Sequence, residues 1–161
     1  IFAEVIGGGM SADAYHLTST HPEGIGAQLA MNQALSVAGI EKEQVDYINL
    51  HATSTPVGDI SELNAVKSVF DNHVHNMHFN ATKSLTGHLL GAAGAIEAIA
   101  AVMSCKENII HPTINTINID DNIPDGFNLT LGNAVHKEIN IAMSNTFGFG
   151  GHNAIAVFKK F

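Results

Sequence analysis

The 161-residue sequence has one cysteine, no tryptophan and no arginine. A single cysteine cannot form an internal disulfide, which excludes a small stapled secreted scaffold. All the basic side chains are lysines, 7 of them against 15 Asp and Glu, for a net charge of -8. Such a chain offers no basic face for neutralising phosphates, so nucleic acid is excluded as a main partner. No apolar run approaches the ~18 residues a membrane span requires, and no membrane partner is expected. Internal repeats and low-complexity stretches are also missing. Hydrophobic residues at 45% are enough to build a core, which excludes disorder as the dominant state. The acidic balance, with no leader-like segment ahead of Ile1, fits a cytoplasmic protein. A chain that opens on Ile1 inside a strand-like run reads as a piece of something longer.

Glycine and histidine, by contrast, are abundant, at 15 and 10 residues. Ile1 to Ile6 reads as a strand that Gly7-Gly8-Gly9 should end. Ile25 to Ala38 has helical spacing, with Gly39 placed as its C-cap. Val45 to Leu50 is a second strand, and Gly58 to Phe70 a second helix that Asp59 or Ser61 could cap. Met77 to Ala81 is a third strand. Leu89 to Cys105 is so uniformly apolar and small that it predicts one long helix buried on every side. Covering it fully takes more than one sheet, so a second half is expected. Ile139 to Ser144 and Ala154 to Phe158 close the chain as two strands joined by Phe147 to Gly151. Strand-helix alternation predicts an α/β fold, with parallel strands, helices on the faces, and a final antiparallel pair at the end of the sheet.

Open α/β sheets bind ligands beyond the carboxyl ends of their strands. Four polar loops fall there: Gly9 to Thr18, Asn49 to Pro56, Asn80 to His88, and Ser144 to Asn153. They carry His51, His88 and Lys83 towards one cleft, beside the glycine-rich Phe147 to Gly151. Gly87, Gly91 and Gly94 read as packing glycines, since no Gly-x-x-x-x-Gly-Lys-Ser/Thr loop is present. Cys105 lies at the far end of the long apolar stretch from His88, roughly 25 Å away if that stretch is one helix. It is read as structural. His73, His75 and His78 have ligand-like spacing, but they lie on the amino side of the third strand, opposite the cleft, and read as a solvated loop.

Four motifs together resemble the condensing enzymes, in the β-ketoacyl-[acyl-carrier-protein] synthase II group. They are Asp13-Ala14-Tyr15-His16-Leu17-Thr18, His51-Ala52-Thr53-Ser54-Thr55-Pro56, Lys83-Ser84-Leu85-Thr86-Gly87-His88 running on to Gly94, and Asn145-Thr146-Phe147-Gly148-Phe149-Gly150-Gly151-His152-Asn153. The resemblance covers residues 1–161 and implies the carboxyl-terminal half of a thiolase-like ketosynthase. Its sheet would be mixed, mostly parallel and five-stranded. The implied reaction is decarboxylative Claisen condensation of malonyl-acyl carrier protein with an acyl chain held on a cysteine of the first half.

Residue by residue, the resemblance makes His51 and His88 the histidine pair, Lys83 the lysine and Phe149 the gate. Thr53 and Thr55 match the threonines that hold the phosphopantetheine arm, and His16 and Phe147 are carried over as substrate-binding positions. Glu97 matches a supporting glutamate. A structural monovalent cation is implied at Asn49, Glu97, Ser144 and Asn145. No cofactor is required beyond that, because phosphopantetheine arrives on the acyl carrier protein. The implied partners are that carrier, the missing first half and, for the parent, a second copy in a homodimer. No nucleophile-type cysteine is present, so this chain alone should not catalyse condensation. The competing reading is a catalytically silent carrier-binding or chain-length subunit, which would have no need of His51, His88 and Lys83.

Overall fold

A computed structural model describes residues 1–161. Five strands form one sheet: β1 (Ala3–Ala12), β2 (Tyr47–Asn49), β3 (His78–Asn80), β6 (Ile141–Gly148) and β7 (His152–Lys160). A separate antiparallel pair, β4 (Ile109–Ile110) and β5 (Val135–His136), sits beside it. The helices are α1 (Ile25–Ala38), α2 (Gly58–Phe70), α3 (Lys83–Thr86) and α4 (Ala93–Glu107). The sheet order is β1-β7-β6-β2-β3. β2 runs parallel to both β3 and β6, while β7 is antiparallel to β6 and β1. Four strands therefore point one way and end on one side.

The β6–β7 hairpin lies in the middle of the sheet, not at its end. Its outer flank is covered by β1, which continues through Gly7-Gly8-Gly9 instead of stopping there. The glycines serve close packing. A Cβ on Gly9 would meet Ala30 O at 1.9 Å, so α1 can lie on β1 only where side chains are missing.

α1 and α2 cover one face over a core that includes Met31, Val66, Phe70, Phe79 and Met143. α4 covers the other, packing its Ala101 and Cys105 on Tyr47, Ala142 and Phe158. α1 ends as expected, at a left-handed Gly39 whose N–H bonds to Leu35 O and Ser36 O. α2 does not use the expected caps. Asp59 accepts the Thr55 N–H at 3.3 Å, and Ser61 Oγ donates to His21 O at 2.7 Å.

The long apolar stretch is not one helix, and it is not buried all round. Leu90 takes a positive φ of 52°, which breaks the segment, and α4 starts only at Ala93. One face of α4 is buried through Ala93, Glu97, Ala101 and Cys105, while Ile99 remains 59% exposed. The three histidines after α2 turn to different partners: His73 to Val45 O at 3.0 Å, His75 to the backbone of Gly126, and His78 to Thr130 Oγ1 at 3.4 Å.

Candidate active site

Side chains alternate along the strands, and register lines up Asn80, Asn49 and Ser144 as neighbours on β3, β2 and β6. All three are buried and share the face under α4 with Tyr47, whose hydroxyl donates to Asn80 Oδ1 at 2.6 Å. Glu97 enters the same layer from α4. Gly94, one turn earlier, lets the helix approach Thr146 on β6, where a Cβ would meet Thr146 Oγ1 at 3.2 Å. Lys83, on the first turn after β3, is buried and ion-paired with Glu97 Oε1. Burial raises the Glu97 carboxyl above its ordinary range, and Lys83 opposes that shift.

Above this layer, the loops after β2 and β3 bring the two predicted histidines together. The His51 and His88 rings lie 5.7 Å apart at 88°, edge to face. The Phe147 ring backs His51 at 5.4 Å. The backbone N–H of Leu90 donates to His88 Nδ1 at 3.3 Å, so the positive φ of Leu90 wraps the chain around this imidazole. That bond makes Nε2 the proton-bearing nitrogen of a neutral His88. Burial first, then the charges of Lys83 and His88, lowers the His51 pKa to about 3. His51 is therefore uncharged near neutral pH.

A cleft of about 750 Å³ opens beside the pair, lined among others by Thr53, Thr55, Lys83 and His88. Thr53 and Thr55 face each other there, their hydroxyl oxygens 3.4 Å apart. The segment Thr113 to Asp120 also lines the cleft and carries Ile114, Ile117 and Ile119. Sequence periodicity gave this segment no role, because it forms no regular element.

Phe149 is 77% exposed in the turn after β6 and does not line the cleft. His16 also lies outside the lining, with its Nδ1 accepting the N–H groups of Thr18 and Ser19 at 3.1 Å each. The two segments touch where Gly150 N–H donates to Leu17 O at 2.7 Å. Asn49 Oδ1, Glu97 Oε2 and Ser144 Oγ are buried oxygens with no hydrogen-bond partner. Three oxygens of this kind in one layer, one of them a carboxylate, fit a monovalent cation. Asn145 Oδ1 is a fourth such oxygen, but alternation turns this side chain to the opposite face, where its Nδ2 donates to Glu62 Oε1 at 3.0 Å.

Glu62 is a residue sequence reading missed. It is 2% exposed, and it accepts the N–H groups of His51 and Ala52 at 2.9 Å each. Burial lifts its pKa to about 7 against these donors, which favour the ionised form. A signal was present, because a carboxylate four residues before Val66 interrupts the buried stripe of α2.

Solved ketosynthases share this architecture. A type II PKS ketosynthase, solved in complex with its acyl-carrier protein and bound to the hexaketide, superposes with TM-score 0.95 at 32% identity, over all of this chain and 39% of that one. A Beta-ketoacyl synthase from Burkholderia phymatum STM815 gives 0.92 at 33% identity, over all of this chain and 38% of that one. Residues 2–117 match the family profile described as Beta-ketoacyl synthase, C-terminal domain, and the chain belongs to that family. Among curated relatives, the 3-oxoacyl-[acyl-carrier-protein] synthase 2 of Staphylococcus aureus (strain COL) is 47% identical over all 161 residues. The enzyme of the same name from Synechocystis sp. is 44% identical over the same span. The chain spans 38% of the length of each of these two relatives.

Proposed function

We propose that residues 1–161 are the second half of a fatty-acid condensing enzyme and supply its enolate-stabilising groups. The observation that carries this reading is the edge-to-face pair His51 and His88, 5.7 Å apart at the ends of β2 and β3. In the proposed step, the bond from the malonyl α-carbon to its carboxylate breaks and CO₂ leaves. The electron pair delocalises onto the thioester oxygen as an enolate. Two imidazole N–H groups donating to that oxygen stabilise the charge as it develops. The carbanion carbon then attacks an acyl thioester carried by a cysteine of the first half and expels the thiolate. Neutrality of His51 follows from its burial and from the adjacent Lys83.

The substrates would arrive on acyl carrier protein, with the phosphopantetheine arm running along Thr53 and Thr55. Phe149 would gate entry, and His16 and Phe147 would border the path. A homodimer and a cytoplasmic setting belong to the same reading and rest on the family resemblance. No helix is long and apolar enough to cross a membrane.

Asn49, Glu97 and Ser144 would hold a monovalent cation. Bound there, it would supply a fixed positive charge opposite the Glu97 oxygen that Lys83 leaves unpaired.

The test separates the half-reactions in the complete protein that carries this chain. Each donor is worth ~3 kcal/mol, so His51→Ala and His88→Ala should each slow malonyl decarboxylation by roughly 10²-fold. Acyl loading onto the cysteine should suffer less, since it does not pass through the enolate. Loss of loading with decarboxylation intact would overturn the assignment.

A further inference from the structure

We propose that Phe147 is a positioning residue: its buried ring sets the rotation of the His51 imidazole. The inference rests on the enolate reading above and gives Phe147 a role, through His51, that bordering the substrate path does not require.

A catalytic imidazole is ordinarily oriented by a hydrogen bond at its second nitrogen. His51 has no such bond. Its Nδ1 is buried without a hydrogen-bond partner, so the nitrogen left to donate to substrate is Nε2. Because Nδ1 is already enclosed by this chain, a group from the rest of the protein cannot reach it without opening the packing. The torsion that turns the ring has broad, roughly two-fold wells and does not fix the direction of Nε2 by itself. The bond from the His51 N–H to Glu62 Oε1 at 2.9 Å fixes the backbone and leaves that torsion free. Packing against the ring must therefore set it.

Two rings meet the imidazole. Phe147 lies 5.4 Å away with the planes tilted by 47°, and His88 lies 5.7 Å away, edge to face. Only the first is anchored. Phe147 is buried on β6 and belongs to the core under α1 and α2, whereas His88 is exposed on the loop after α3. A side chain carried by a packed strand is held more precisely than one on a loop. Asn145, two residues before Phe147 and on the same face of β6, donates to Glu62 Oε1 at 3.0 Å. One face of β6 thus holds His51 twice, its backbone by way of Glu62 and its ring directly through Phe147.

The test is a double-variant cycle in the complete protein that carries this chain, with malonyl-acyl carrier protein decarboxylation as the readout. Phe147→Met keeps most of the side-chain volume and loses the flat face. It should lower kcat about tenfold and leave KM and acyl loading unchanged, because only the direction of one donor is lost. Phe147→Tyr, which keeps the ring, should restore the parental rate. Added to His51→Ala, Phe147→Met should cost nothing further, since the imidazole it directs is gone. A further tenfold loss in the double variant would overturn the proposal, because Phe147 would then act independently of His51. Equal losses of decarboxylation and loading in Phe147→Met would also overturn it, by reducing Phe147 to a packing residue. Parental kcat in Phe147→Met, with His51→Ala slow, would overturn the positioning role and leave the enolate reading standing. Undiminished decarboxylation in His51→Ala would overturn both.

Discussion

The backbone N–H of His51 donates to Glu62 Oε1 at 2.9 Å, and the next N–H, that of Ala52, donates to the other oxygen of the same carboxylate. One buried side chain from α2 therefore holds the turn from which the His51 imidazole projects. Ala52 sits in that turn with a φ of 25°, a backbone state that needs such support.

Replacing Glu62 with alanine leaves three donors without an acceptor: the N–H groups of His51 and Ala52, and Asn145 Nδ2. Each buried unsatisfied donor costs about 1–3 kcal/mol. Glu62→Ala should lose about 3 kcal/mol or more of unfolding free energy in urea. A loss under ~1 kcal/mol would show that the turn stands without the carboxylate.

Glu62 and His51 also predict a pH dependence of opposite sign. The Glu62 pKa rises from 4.5 to about 7 on folding, so its contribution is full below 4.5 and lost as pH rises through 7. The His51 pKa falls from 6.5 to about 3, so its contribution is full above 6.5 and lost as pH falls through 3. Between 4.5 and 6.5 the two slopes oppose. Glu62→Gln removes one of them, and the stability of the variant relative to the parent should climb with pH between 4.5 and 7. Urea midpoints at several pH values measure this, and a constant difference would mean that Glu62 does not titrate there.

The close approach of α1 to β1 makes Gly9 intolerant of any side chain. In Gly9→Ala the new Cβ would lie 1.9 Å from Ala30 O and 2.8 Å from Ala34 N, both backbone atoms. Overpacking of this kind should cost about 3 kcal/mol or more. Gly39→Ala is the control. No atom lies within 4 Å of its Cβ, and only its φ of 65° is strained, for about 1–2 kcal/mol. Comparable losses in the two variants would argue against the packing account.

Cys105 should be chemically silent in the native protein. It is fully buried on the inner face of α4, and burial pushes its thiol up to about 11. Maleimide at neutral pH should label it only after denaturation. Native labelling at the denatured rate would return it to the list of reactive groups.

Local pattern alone settled the elements whose signals are local. α1 with its Gly39 cap and α2 from Gly58 to Phe70 follow from apolar spacing and one glycine, because helix bonds close within four residues. The grouping of His51, Lys83 and His88 was also legible, since strands of one direction deliver their following loops to one side. Pairing partners were not legible. Nothing local in Gly7-Gly8-Gly9 distinguishes a strand end from a strand lying under a helix; the choice depends on α1 and β7 arriving from elsewhere in the chain. Only the tertiary structure placed Glu62 under His51 and paired it with Asn145. Those relationships span up to 83 residues of sequence, and buried hydrogen-bond direction decides them, which no periodicity encodes.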